Sequence, residues 1–174
     1  MMPEARITPP LKEAEAARLA RELYGLEVRA GALPGECDDN FRVVAADGHE
    51  LVLKVMHPAR ERALVDLQCC VLQHLARLAP QLSLPRVCPT RKADLFAPAL
   101  VSDGSTRLVW LLSYLPGTLL ADARPHSPEL LRSLGRFLGE MDAALASFSH
   151  AAAQRELQWD LARAGWIRGD LQQI

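Results

Sequence analysis

The sequence predicts an α+β fold, a five-stranded antiparallel sheet with one packed helix, followed by a helical segment. Three observations carry this expectation. Short extended runs separated by Pro-Gly and Asp-Gly pairs fill residues 26–117. One helical apolar stripe interrupts them after Pro58. From Ser127 onward the apolar spacing is helical again. At 174 residues, with 49% hydrophobic and 24% charged side chains, the chain holds one or two compact units of an ordinary globular kind. The natural divisions are an N-terminal helix over 1–25, the sheet unit over 26–117, and a linker with helices over 118–174.

Thr8-Pro9-Pro10 offers a cap-like start, Leu11, Leu19 and Leu23 lie on or near one face, and Gly25 stops this first helix. LEVRAGAL, NFRVVAA and HELVLKVMH then read as three strands, with Pro34-Gly35 and Asp47-Gly48 between them. Asp47-Gly48 is the stronger hairpin signal, because a tight two-residue turn needs positive φ, which Gly tolerates freely and Asp better than most. After Pro58, Leu64, Leu67, Val71, Leu75 and Leu78 predict a helix whose stripe faces a core. Pro80, Pro85 and Pro89 break the next stretch into loop or short extended pieces. LFAPALVSDGSTRLVWLLSYLPG predicts two further strands around Asp103-Gly104. Ser127 as N-cap and Pro128 at the first helical position start the last clear helix, with Leu131, Leu134, Leu138, Met141 and Leu145 as its apolar face. Trp159, Leu161, Trp166 and Ile167 follow at roughly helical spacing and need a partner surface, so from about Ser127 onward the chain is expected to associate with a second copy or to be poorly ordered, the alternative being that these helices fold back on the sheet unit as a monomer.

Composition excludes several function classes. Lys and Arg number 20 against 21 Asp and Glu, and a net charge of -1 gives no field to attract nucleic acid or an anionic membrane. Neither partner is expected, and phosphate recognition must be local. Cys37, Cys69, Cys70 and Cys88 form no C-x-x-C pair and no zinc-like spacing, so no metal site is expected in this chain. Cys69 and Cys70 read as small, partly buried apolar residues, which suits a reducing compartment. The chain begins without an apolar signal region and contains no run of about 18 apolar residues. A cytoplasmic location is expected.

The candidate chemistry centres on Lys54. In LVLKV it alternates with Leu51, Leu53 and Val55, so its ammonium either reaches phosphate oxygens as a compact charge or lies on a solvated face. The turn before the second strand holds Gly31 and Gly35, and its backbone N–H groups from Gly35 to Asn40 are candidates for covering phosphates; an ordinary polar turn is the alternative. Asp38 and Asp39 would repel phosphate unless a metal or Lys54 offset them. Ser113, Tyr114 and Leu115 end the last strand before Pro116-Gly117 and offer backbone groups to a planar ligand, with Val52, Leu112 and Tyr114 as walls or as plain core.

Four segments in this order, LPGECDDNF at 33–41, LVLKV around Lys54, LLSYLPG at 111–117 and the FSHAAAQRELQWDL stretch, resemble the aminoglycoside phosphotransferase superfamily of kinase-like enzymes. The similarity is to the branch with hydroxylysine kinases and with kinases fused to class III aminotransferases. It implies a kinase-like small lobe followed by the helical start of a large lobe, and ATP as ligand. It places Lys54, Gly35 and Asn40 at the phosphates and Val52, Ser113, Tyr114 and Leu115 around the base. Kinases of this type hold the lysine with a carboxylate on the next helix. Here Gln68 stands near that position, and Asp66 is the candidate partner among the neighbouring carboxylates.

The family's catalytic loop, approximately H-x-D-x-x-x-x-N, does not occur in the 174 residues, and Gly169-Asp170 reads as a helix end. The resemblance therefore implies a nucleotide-binding part that binds ATP weakly and is inactive alone, with magnesium held only in a full-length parent. The implied acceptor is a small hydroxylated amine or amino acid, and fusion to an aminotransferase is one form the parent could take. A non-catalytic kinase-like binding or regulatory module is the alternative.

Overall fold

The structure, a computed structural model, describes residues 10–155 together with residues 165 and 168. The Thr8-Pro9 cap, the Trp159, Leu161, Trp166 and Ile167 pattern and Gly169-Asp170 lie outside the described residues. The elements are α1 (Glu13–Tyr24), β1 (Val28–Leu33), β2 (Asp39–Ala45), β3 (Glu50–Val55), α2 (Arg62–Leu78), β4 (Val87–Cys88), β5 (Ala97–Leu100), β6 (Thr106–Ser113), α3 (Pro128–Leu145) and a 3-10 turn (Ala151–Ala153). Every strand pairing is antiparallel, in the order β1-β2-β3-β6-β4, with β5 also on β6. The five expected strands are present. A sixth, β4, is squeezed between Pro85 and Pro89 and shares the outer edge of β6 with β5.

The β2–β3 hairpin turns at the expected Asp47-Gly48, but over three residues. Ala45 pairs with His49, the Gly48 N–H donates to the Ala45 carbonyl at 2.9 Å, and Gly48 sits at φ 87°. That is a loop with a left-handed glycine at its end, and the β5–β6 turn repeats it with Gly104 at φ 83°. The extra residue moves the register by one from that of a two-residue turn. Since strand side chains alternate, the register decides which residues share a face. Here Asn40 comes opposite Lys54, which itself comes opposite Trp110.

One face of the sheet is sealed. Phe41, Val43, Leu53, Val55, Val109 and Leu111 meet Ala16 and Leu19 of α1 in a core with no solvent at most positions. At the rim of this face Arg107 pairs with Asp39 at 2.9 Å, with the two side chains 1% and 4% exposed. Arg107 also holds Asp103 and the Ser105 hydroxyl of the β5–β6 turn. The opposite face is covered in part by α2: Met56, Trp110 and Leu112 pack with Val65, Cys69 and Phe96.

On α2 the buried residues are Val65, Cys69 and Leu75, whereas Leu64, Leu67 and Val71 are only half-buried and Leu78 is 48% exposed. The apolar spacing identified the helix but not which of two adjacent stripes docks. Cys69 behaves as the expected small apolar residue, and burial pushes its thiol up to about 12.

α3 starts as its sequence demands, with the Ser127 hydroxyl accepting the Leu130 N–H at 3.2 Å and Pro128 in the first turn. It leans on α2, the Ala144 carbonyl accepting from His74 Nε2 at 3.0 Å. None of its residues is fully buried, and Leu131 and Leu138 are 52% and 44% exposed. Among the described residues no helix is long and apolar enough to cross a membrane.

Candidate functional site

The partly covered face of the sheet carries the candidate residues. Asn40 on β2, Lys54 on β3 and Trp110 on β6 stand side by side in one cross-strand row. The Lys54 ammonium donates to Asn40 Oδ1 at 2.9 Å and lies 5.9 Å from the centre of the Trp110 ring. Asn40 Nδ2 in turn donates to the Pro34 carbonyl at 3.2 Å. One amide thus ties the lysine to the turn between β1 and β2. An ammonium has three N–H donors, so two remain for oxygens of a ligand. Burial lowers the Lys54 pKa below its ordinary value; nearby Asp38 opposes that shift and Arg60 adds to it.

The β1–β2 turn is held from both ends. Asp38 Oδ1 accepts the His57 N–H at 2.7 Å and the Arg60 guanidinium at 3.4 Å, which fastens the turn to the segment between β3 and α2. Gly35 sits where no side chain fits, since a Cβ there would lie 2.3 Å from the Asp38 carbonyl oxygen and 2.6 Å from Asn40 Nδ2. The expected repulsion between phosphate and the two aspartates is largely removed by this geometry. Asp38 faces a backbone donor and Arg60, and Asp39 is sealed against Arg107 on the opposite face.

The next row toward the end of β6 is Arg42, Val52 and Leu112. Val52 and Leu112 pack with the α2-side core, and Leu112 is 8% exposed. Beyond them the Ser113 N–H donates to the Arg86 carbonyl, the Ser113 hydroxyl accepts the Arg86 N–H, and the Tyr114 N–H donates to the Glu50 carbonyl at 3.2 Å. The Ser113 and Tyr114 amides, offered to a ligand by sequence reasoning, are therefore committed to the sheet. Leu115, 43% exposed, is the first of the three beyond these pairings.

The structure does not bring Asp66 to Lys54. Asp66 Oδ2 instead meets His150 Nε2 at 3.1 Å. Gln68 makes no hydrogen bond to Lys54 either, and its Oε1 is buried without a hydrogen-bond partner. Asn40, on the neighbouring strand, takes the place of a helix carboxylate. Donor atoms of Asp66, Cys70 and His150 lie within 4.8 Å of one another, the spacing of a metal site. However, His150 Nδ1 accepts the Ala152 N–H at 3.1 Å, which puts the ring proton on Nε2 and aims it at Asp66. The cluster is closed by hydrogen bonds, and a metal on Nε2 would need the other tautomer.

Comparison with known proteins places this arrangement in a family. The sequence model of the phosphotransferase enzyme family, APH, matches residues 30–174. The chain belongs to that family. Hydroxylysine kinase of Bos taurus is 31% identical over 160 residues, covering 84% of this chain and 42% of that protein. Hydroxylysine kinase of Danio rerio is 32% identical over 150 residues, covering 82% of this chain and 41% of that protein. The chain thus spans about two fifths of the length of these relatives.

Among solved structures, an amicoumacin kinase in complex with AMP-PNP and Ca2+ superposes with a TM-score of 0.67 at 15% identity, over 86% of this chain and 45% of that one. A microcompartment-associated aminopropanol kinase gives 0.62 at 16%, over 83% and 44%. These two likenesses establish the α+β, kinase-like fold of this APH-family chain.

Sequence reasoning missed Arg42 and Arg60. Arg42 was legible in principle, because strand alternation puts it on the same face as Asn40, away from Phe41 and Val43. Arg60 had no such signal, since it lies in the connection between β3 and α2.

Proposed function

We propose that this chain is the nucleotide-binding part of an ATP-dependent phosphotransferase whose acceptor is a small hydroxylated amine or amino acid. The observation that carries the reading is the Lys54–Asn40–Pro34 link, which aims a half-buried ammonium along the inner side of a glycine turn. In this reading Lys54 steadies phosphate oxygens, Asn40 and Gly35 shape the turn over them, and Val52, Tyr114 and Leu115 surround the base. Phosphoryl transfer depends almost wholly on positioning and charge stabilisation, and this part supplies the positioning of the donor. The acceptor class is supported by the names of the relatives, hydroxylysine kinase and aminopropanol kinase.

Magnesium, when bound, would supply charge neutralisation to the nucleotide's phosphates. Around Lys54 the described residues do not fit it, because Asp38 is taken by a backbone N–H and Arg60, and Asp39 by Arg107. We assign the metal ligands and the catalytic base to a longer parent, and no residue of this chain to either role. The same observations favour a second reading: with Gln68 in place of a carboxylate on α2, Lys54 lacks the usual ion pair, as in a non-catalytic kinase-like module.

Acceptor-dependent turnover separates the readings. The 174-residue chain with ATP, magnesium and 5-hydroxylysine or 1-amino-2-propanol should give no ADP above background. A form extended to the length of the hydroxylysine kinases should give ADP with an acceptor and lose most of that activity as Lys54→Ala. A silent extended form that still binds ATP would support the module, and turnover by the 174 residues would overturn the assignment of the catalytic groups.

A further inference from the structure

We infer that the guanidinium of Arg42, held in place by Glu50, is the stacking surface for the nucleobase, which makes Arg42 a base-binding residue that neither the motifs nor the family resemblance assigns. The inference deepens the nucleotide-binding reading above and rests on it.

Register supplies the first observation. Arg42, Val52 and Leu112 form the row next to Asn40, Lys54 and Trp110, on the same face. Two residues along a strand cover about 7 Å, so Arg42 stands one base-to-phosphate step from the lysine. Val52, half-buried at the edge of the α2-side core, supplies an apolar floor, and the Arg42 side chain, 43% exposed, is the polar group beside it.

Local contacts supply the second. Glu50 grips the guanidinium through two of its nitrogens, Nε to Oε2 at 3.1 Å and Nη2 to Oε1. Such a fork contact is made in the guanidinium plane, so it fixes that plane without covering either face. The guanidinium lies over the Tyr114 ring, 4.7 Å from its centroid, so it already makes a π contact at the end of β6. A nucleobase offers the same kind of face, and both aromatic rings and guanidinium planes stack on bases.

A phosphate-binding role for Arg42 fits less well. Its charge is already balanced by Glu50, and Lys54 occupies the row nearer the glycine turn. Stacking also tolerates any base, so adenine and guanine nucleotides should depend on Arg42 alike.

The test is calorimetric titration of the 174-residue chain with ADP, GDP and inorganic tripolyphosphate. Arg42→Ala should weaken ADP and GDP about tenfold, or about 1.4 kcal/mol, and leave tripolyphosphate unchanged. Arg42→Lys, which keeps the charge opposite Glu50 but not the plane, should behave like Arg42→Ala and guards against simple loss of fold. Wild-type ADP affinity in Arg42→Lys would overturn the inference, as would a tripolyphosphate loss in Arg42→Ala equal to the ADP loss. A wild-type chain that binds tripolyphosphate but ADP no more tightly overturns the inference alone. One that binds neither overturns the nucleotide-binding reading and the inference together.

Discussion

The two faces of the sheet come from the same strands and differ in what covers them. The α1 face is closed: Ala16, Leu19, Phe41, Val43, Val55 and Val109 are out of contact with solvent or nearly so, and its charged pair, Asp39–Arg107, is sealed at the rim. The α2 face is closed only over Trp110, Met56 and Leu112, and it leaves Lys54, Arg42 and Glu50 partly exposed beside the cover. The first face seals its polar pair at the rim, whereas the second leaves its own cross-strand pairs, Lys54–Asn40 and Arg42–Glu50, partly exposed. Substitutions on the two faces should therefore separate stability from binding.

The largest effect is expected on the closed face. Arg107→Met leaves Asp39 buried without its guanidinium, and removing one member of a buried pair costs about 3–5 kcal/mol. Urea denaturation should show this loss, while polyphosphate affinity, measured below the new unfolding midpoint, stays near wild type. A marginal change in stability would mean that the pair is not the clamp of the β2 and β6 ends.

Gly35→Ala should do the reverse and by less. Its Cβ would press on the Asp38 carbonyl and on Asn40 Nδ2, so the turn and the amide that holds Lys54 must move. Polyphosphate affinity should fall on the order of tenfold, about 1.4 kcal/mol, with a smaller loss of stability than Arg107→Met causes. Gly31→Ala is the control, since nothing lies within 4 Å of a Cβ there, and it should alter neither quantity. Equal behaviour of the two variants would uncouple the turn from the site.

Much of this architecture was legible. Alternation marked the long strands, the Asp-Gly pairs marked both hairpins, and Ser127-Pro128 marked the start of α3. The rest depended on register. A two-residue turn at Asp47-Gly48 would have put Lys54 opposite Phe41, whereas the three-residue loop puts it opposite Asn40, and the link between lysine and turn follows from that single residue. Proximity along α2 pointed to Gln68 and Asp66, because a helix carboxylate is the usual partner of such a lysine. The cross-strand amide could be found only once the pairing was known. Two-residue β4 was hidden by its prolines, since it exists through β6 rather than through its own propensity.

The central claim is that Lys54 is the phosphate-binding cation of the open face. Calorimetric titration with tripolyphosphate, wild type against Lys54→Ala and repeated across alkaline pH, tests it most directly. Burial lowers the Lys54 pKa below its ordinary value of 10.5, and phosphate needs the charged form. Affinity should therefore be full below that lowered value and be lost as pH rises through it, before 10.5. Lys54→Ala should bind at least tenfold more weakly at neutral pH and lose the alkaline dependence. Equal affinity in the two proteins, or an alkaline loss that persists without Lys54, would contradict the account.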